Sequence, residues 1–104
     1  MGKRGRHPTF DSHDPLLDAR ADGELDLHGF SASEAAPAVR AFLERWQRRK
    51  AGAIVHIITG RGRGSPDGPV LRGVVAGLLK GPLATLAAEW APDDAGGGFK
   101  VRVR

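Results

Sequence analysis

Apolar and polar residues fall into regular periods only after the first two dozen positions. From Glu24, "ELDLH" alternates with period two, which predicts a strand carrying Leu25 and Leu27 on one face and Asp26 and His28 on the other. "FSASEAAPAVRAFLERWQRRK" then shifts to the helical period, with Val39, Phe42, Leu43 and Trp46 on one stripe. Ser31 followed by Glu34 has the spacing of a capping box, while Pro37, which has no N–H to donate, predicts a helix that starts nearer Ser33 or kinks. "AIVHIIT" is a β-branched run typical of a buried strand, and the "GRGRGSPDG" that follows is a loop. Pro69 suits the first turn of a second helix, which would turn Val70, Leu71, Val74, Val75 and Leu78 inward and stop at Gly81 and Pro82. "LATLAAEW" predicts a third strand and "FKVRVR" a fourth, with Phe99, Val101 and Val103 inward and Lys100, Arg102 and Arg104 outward.

The order β-α-β-α-β-β predicts an α/β fold, a two-layer sandwich of two helices on a mixed four-stranded sheet. At 104 residues the chain has the length of one domain. Residues 1–23, rich in Gly, Pro, Asp and Arg, predict a flexible N-terminal arm in which only "PLLDA" offers apolar groups to dock on the core, and residues 24–104 form the expected domain. The absence of cysteine excludes disulfides and thiolate metal sites. No apolar run approaches the ~20 residues of a membrane span and no apolar leader follows the basic N-terminus, so no membrane partner and a cytoplasmic location are expected.

Charge sharpens this picture. Four basic and four acidic residues cancel up to Gly23, so the net charge of +4 falls wholly on the expected domain. A basic domain points to a polyanionic partner, above all nucleic acid. The first two strands, joined by a helix, should be parallel, which brings Gly29 and Thr59-Gly60 to the same carboxyl edge, where ligands of such sheets bind. In "TGRGRGS", Gly60, Gly62 and Gly64 free the backbone to present N–H groups to an anion, and Arg61 and Arg63 add forked donors suited to phosphate. The loop lacks the Lys-Ser/Thr of a Walker A motif and the spacing of a dinucleotide-binding turn, which favours a phosphodiester backbone over a bound nucleotide. His56, among apolar neighbours, reads as a structural histidine, and Trp46 and Trp90 as core-covering residues.

The combination of Asp26-Leu27-His28-Gly29, Thr59-Gly60-Arg61-Gly62-Arg63-Gly64-Ser65, Gly68 to Arg72, and Gly96-Gly97-Gly98 resembles the Smr (small MutS-related) domain family across about residues 24–104. That resemblance implies a fold similar to the C-terminal domain of bacterial translation initiation factor three, and an activity of nucleic-acid binding with nicking or endonucleolytic cleavage of DNA or RNA. Asp26 and His28 are the candidate catalytic pair. Thr59, Gly60, Arg61, Gly62, Arg63, Gly64, Ser65 and Arg72 are the candidate phosphate-binding set.

His28 has the intrinsic pKa of a proton-transfer group at neutral pH, and Asp26 would orient its imidazole or hold a divalent ion, Mg²⁺ or Mn²⁺. Arg61, Arg63 and the loop amides would neutralise charge on the phosphate, and Ser65 would donate a hydroxyl hydrogen bond or cap the following turn. Against the endonuclease stands an alternative of another class, a noncatalytic adaptor that binds DNA or RNA through the same basic edge. Asp93 and Asp94 before the glycines would repel a phosphate backbone if they lay at that edge.

Overall fold

The computed structural model describes residue 16 and residues 19–60, 68–93 and 97–104. Four strands and two long helices follow one another as β1 (Gly23–Asp26), α1 (Ala32–Arg49), β2 (Ile54–Ile58), α2 (Gly68–Lys80), β3 (Ala87–Pro92) and β4 (Gly98–Val103). The strands form one sheet in the spatial order β1-β2-β4-β3. β1 runs parallel to β2, with Asp26 opposite Ile58, and β4 runs antiparallel to both β2 and β3. This is the expected α/β sandwich with a mixed sheet.

Both helices share one core with one face of the sheet. Val39, Phe42 and Leu43 of α1 and Leu71, Val75 and Leu79 of α2 close over Val55, Ile57, Val101 and Val103. Burying these side chains stabilises each by about 1.5–3 kcal/mol relative to exposure, which is the main force holding the layers together. The alternation predicted for β4 is observed, with Phe99, Val101 and Val103 buried. Trp46 and Trp90 lie half-buried against the core, and the Trp90 ring meets Phe99 edge-on at 5.7 Å.

The capping box of α1 is complete. The Ser31 Oγ accepts the Glu34 N–H at 3.2 Å, and the Glu34 carboxylate accepts the Ser31 N–H at 2.8 Å. This reciprocal cap starts the helix at Ala32, and the helix passes through Pro37, an exposed residue, to Arg49.

Two sequence expectations need correction. Residues 83–86 are not strand: Ala84 N–H bonds Gly81 O and Leu86 N–H bonds Leu83 O, and β3 begins only at Ala87. These turns place Leu83 and Leu86, three residues apart, in the core, so the apolar spacing there serves a turn and not a pleat. In α2, Val70 is 54 % exposed and Leu79 takes an inward place. The buried stripe is Leu71, Val75 and Leu79, at i, i+4 and i+8, with Val74 and Leu78 flanking it.

The opposite face of the sheet is partly covered as well. Ile54 and Leu16 are buried without belonging to the main core. Lys100 Nζ donates to the Ala19 carbonyl at 2.7 Å, and Asp22 accepts the Ile54 N–H at 3.0 Å and Lys50 Nζ at 3.0 Å. Contacts thus reach back from β1 into the segment expected to be a flexible arm. The Ile54 amide, followed by the Lys50 ammonium, holds the Asp22 carboxyl below the usual aspartate range. Among the described residues, no helix is long and apolar enough to cross a membrane.

Candidate nucleic-acid interface

β1 ends at Asp26, and the chain turns at once. Leu27 still pairs with β2 through its N–H to Ile58 O at 2.8 Å, and its carbonyl accepts the Phe30 N–H at 2.9 Å. The corner between them consists of His28 and Gly29, both exposed. Gly29 has φ +87°, a left-handed conformation that an L side chain adopts only with strain, which is why the "DLH" strand stops at a glycine. His28 lies in this turn and not on the strand proper.

Asp26 secures the corner. Its Oδ1 accepts the backbone N–H of His28 at 2.9 Å, an Asx-type turn. The carboxylate therefore engages the main chain of His28 rather than its ring. Among the described residues, no hydrogen bond or ion pair engages the His28 imidazole.

Beside this corner, β2 delivers Thr59 and Gly60. Thr59 is fully buried, and its hydroxyl faces the carbonyls of Gly60 and Gly97, both at 3.3 Å. Such a hydroxyl ties the end of β2 to the main chain around it. The Gly97 carbonyl also accepts the N–H groups of Thr59 at 2.8 Å and Gly60 at 3.1 Å, so one oxygen fastens the end of β2 to the segment entering β4. Gly60 has φ +90°, the second position at this edge that favours glycine, and it aims the chain into the Arg-rich segment. Arg61, Gly62, Arg63, Gly64 and Ser65 lie outside the described residues. Arg72 is half-buried on α2 and is engaged in an interaction of its own.

The sheet thus brings together His28, Gly29, Thr59 and Gly60, as the parallel pairing predicts. Two further residues join this edge from below. His56 Nε2 lies 2.7 Å from Asp93 Oδ2, and Asp93 Oδ1 accepts the Gly97 N–H at 3.1 Å. Asp93 is therefore turned inward, to a histidine and a peptide N–H. His56 was legible as structural, but its partner is 37 residues away and only the β2–β4 pairing brings the two together.

Among the described residues, no three His, Cys, Asp or Glu side chains come together in a way that could hold a metal ion. Asp26 would offer a lone carboxylate with one oxygen already occupied by a peptide N–H.

Comparison with curated proteins returns no match. The Smr domain family model, however, matches residues 25–103, a span that contains both the His28 corner and the Thr59-Gly60 end of β2. On that match, which covers well over half of the chain, this protein belongs to the Smr domain family.

Proposed function

We propose that this protein binds DNA or RNA along the carboxyl edge of β1 and β2 and cleaves a phosphodiester bond there, with His28 as the proton-transfer group. The family points in general to a nucleic-acid-binding, nuclease-related role. One observation carries the finer reading: an exposed imidazole, unengaged among the described residues, stands on a rigid corner beside the glycine that opens the Arg-rich loop. A proton-transfer group must be accessible and positioned; His28 is exposed, and Asp26 fastens its main chain.

On RNA the chemistry balances with this side chain alone. The neutral imidazole takes the proton of the ribose 2′-hydroxyl, whose oxygen attacks phosphorus. The bond from phosphorus to the 5′ oxygen breaks, and the leaving oxygen takes a proton from the imidazolium. The products are a 2′,3′-cyclic phosphate and a 5′-hydroxyl. Arg61 and Arg63 neutralise the charge that grows on the phosphate oxygens. Asp26 contributes by fixing the His28 main chain, and no step is routed through a metal.

The adaptor reading keeps one observation of its own. Asp26 is spent on a backbone N–H, which leaves a single titratable side chain of the expected pair free at this edge.

The test is cleavage of labelled RNA and of the same strand with 2′-deoxyribose at the cut site, with and without a chelator, beside a His28→Ala variant. The expected result is RNA cleavage that survives chelation, fails on the deoxy strand and falls by about 10²-fold or more in His28→Ala. Cleavage by His28→Ala at the parent rate would remove His28 from the chemistry. Binding without any cleavage would establish the adaptor.

A further inference from the structure

The His56–Asp93 pair has no part in the chemistry above, yet two hydrogen bonds connect it to Thr59 and Gly60 at the candidate site. His56 occupies the centre of β2 on the face away from the helices, between Glu24 of β1 and Lys100 of β4 in the sheet register. Its side chain is 20 % exposed and that of Asp93 is 13 % exposed. A carboxylate only accepts, so the Nε2 facing Asp93 at 2.7 Å carries the proton. The other ring nitrogen lies 3.8 Å from the Glu24 carboxylate. Lys100, opposite His56 on β4, donates to the Ala19 carbonyl.

The second oxygen of Asp93 accepts the Gly97 N–H, and the Gly97 carbonyl in turn accepts the amides of Thr59 and Gly60. Four consecutive hydrogen-bonding groups therefore lead from the His56 ring to Gly60, whose positive φ launches the Arg-rich loop. The Asp93 main chain is fastened too, its N–H donating to Gly98 O at 2.9 Å.

We propose that His56 and Asp93 are a positioning pair which, through Gly97, fixes the Thr59-Gly60 backbone from which the Arg-rich segment departs. The link to phosphate rests on the function proposed above; the link to the Gly60 backbone does not. Neither residue touches the nucleic acid. In this pair the Asp93 carboxylate is turned to a histidine and a peptide N–H.

The experiment has two arms on the full chain. Amide hydrogen exchange reads the backbone at Thr59 and Gly60, with Val101 in the core as reference. Titration with a labelled single-stranded RNA and a matched DNA, at constant salt, reads the loop. The variants are Asp93→Ala and His56→Ala, each paired with a conservative change. Asp93→Asn retains an acceptor for Gly97 and offers its amide N–H to Nε2 once the ring proton moves to Nδ1, on the Glu24 side, and His56→Gln retains a donor for Asp93.

In the alanine variants, exchange at Thr59 and Gly60 should rise by about tenfold and affinity should fall by a similar factor, with Val101 unchanged. Asn and Gln should restore both readouts to within about threefold of the parent. Unchanged exchange at Gly60 in Asp93→Ala would overturn the pair. Faster exchange with unchanged affinity would overturn its positioning of the loop. Failure of Asn and Gln to rescue would also count against it, because a merely space-filling role predicts no such recovery. If the parent binds neither strand, the proposed function fails, while the exchange arm still decides the link to Gly60. An alanine variant that does not fold leaves the decision to the Asn and Gln variants, whose Gly60 exchange must then match the parent.

Discussion

Gly98 opens β4 opposite Ile58, and it is a glycine for a steric reason that can be tested quantitatively. A Cβ at this position would collide with the Ile57 carbonyl oxygen and stand 3.0 Å from both the Ile57 carbonyl carbon and the Ile58 Cα. These are backbone atoms of the central strand, which cannot swing aside as a flexible side chain would. Gly98→Ala must therefore part β2 from β4 where Gly97 and Gly98 tie the sheet to Thr59, Gly60 and Asp93. Overpacking costs about 1–3 kcal/mol, and one weakened ladder hydrogen bond adds about 1 kcal/mol, for a destabilisation of roughly 2–4 kcal/mol. For a domain of this size each kcal/mol moves Tm by about 4–8 °C, so a drop on the order of 10–25 °C is expected in a thermal melt followed by circular dichroism. Gly73→Ala is the control. Nothing lies within 4 Å of a Cβ added there, on an exposed helical position, so the same substitution should stabilise by about 0.5–1 kcal/mol. A Gly98→Ala melt within about 3 °C of the parent would refute the steric reasoning, since the predicted clash leaves no room for so small a shift.

Two further outcomes follow from the charges. Folding lowers the Asp22 pKa, so Asp22 adds stability that is complete above the ordinary aspartate value and is lost as pH falls through the depressed folded value. Denaturant midpoints between pH 2 and 6 should show this acid-side loss in the parent and a reduced loss in Asp22→Asn; equal pH profiles would remove Asp22 from the linkage. Replacing Arg61 and Arg63 together by Ala should flatten the log-log salt dependence of duplex DNA binding by up to ~2 units, at about 0.9 per neutralised phosphate, and an unchanged slope would move the binding face away from this loop.

Local patterns in the chain were sufficient for much of the architecture. Alternation in "FKVRVR", the helical stripe of Val39, Phe42 and Leu43, and the Ser31–Glu34 spacing each depend on residues within a few positions of one another, and all reappear in the fold, while the strand predicted over "ELDLH" ends at Asp26. The shared edge of His28 and Gly60 was also legible, because a helical crossover between adjacent strands leaves them parallel. Tertiary structure alone decided the rest. The rotation of α2 that exposes Val70 and buries Leu79 depends on what the helix packs against, and the turns at 83–86 win over a strand because Leu83 and Leu86 reach the core only from that path. Thr59, read as a phosphate ligand, is buried against Gly97, and His56 meets Asp93, because β4 pairs with β2 rather than standing at the edge. Periodicity records which face of an element avoids water; which strand lies beside which is set by the summed packing of the whole sheet, and no local window of sequence contains that sum.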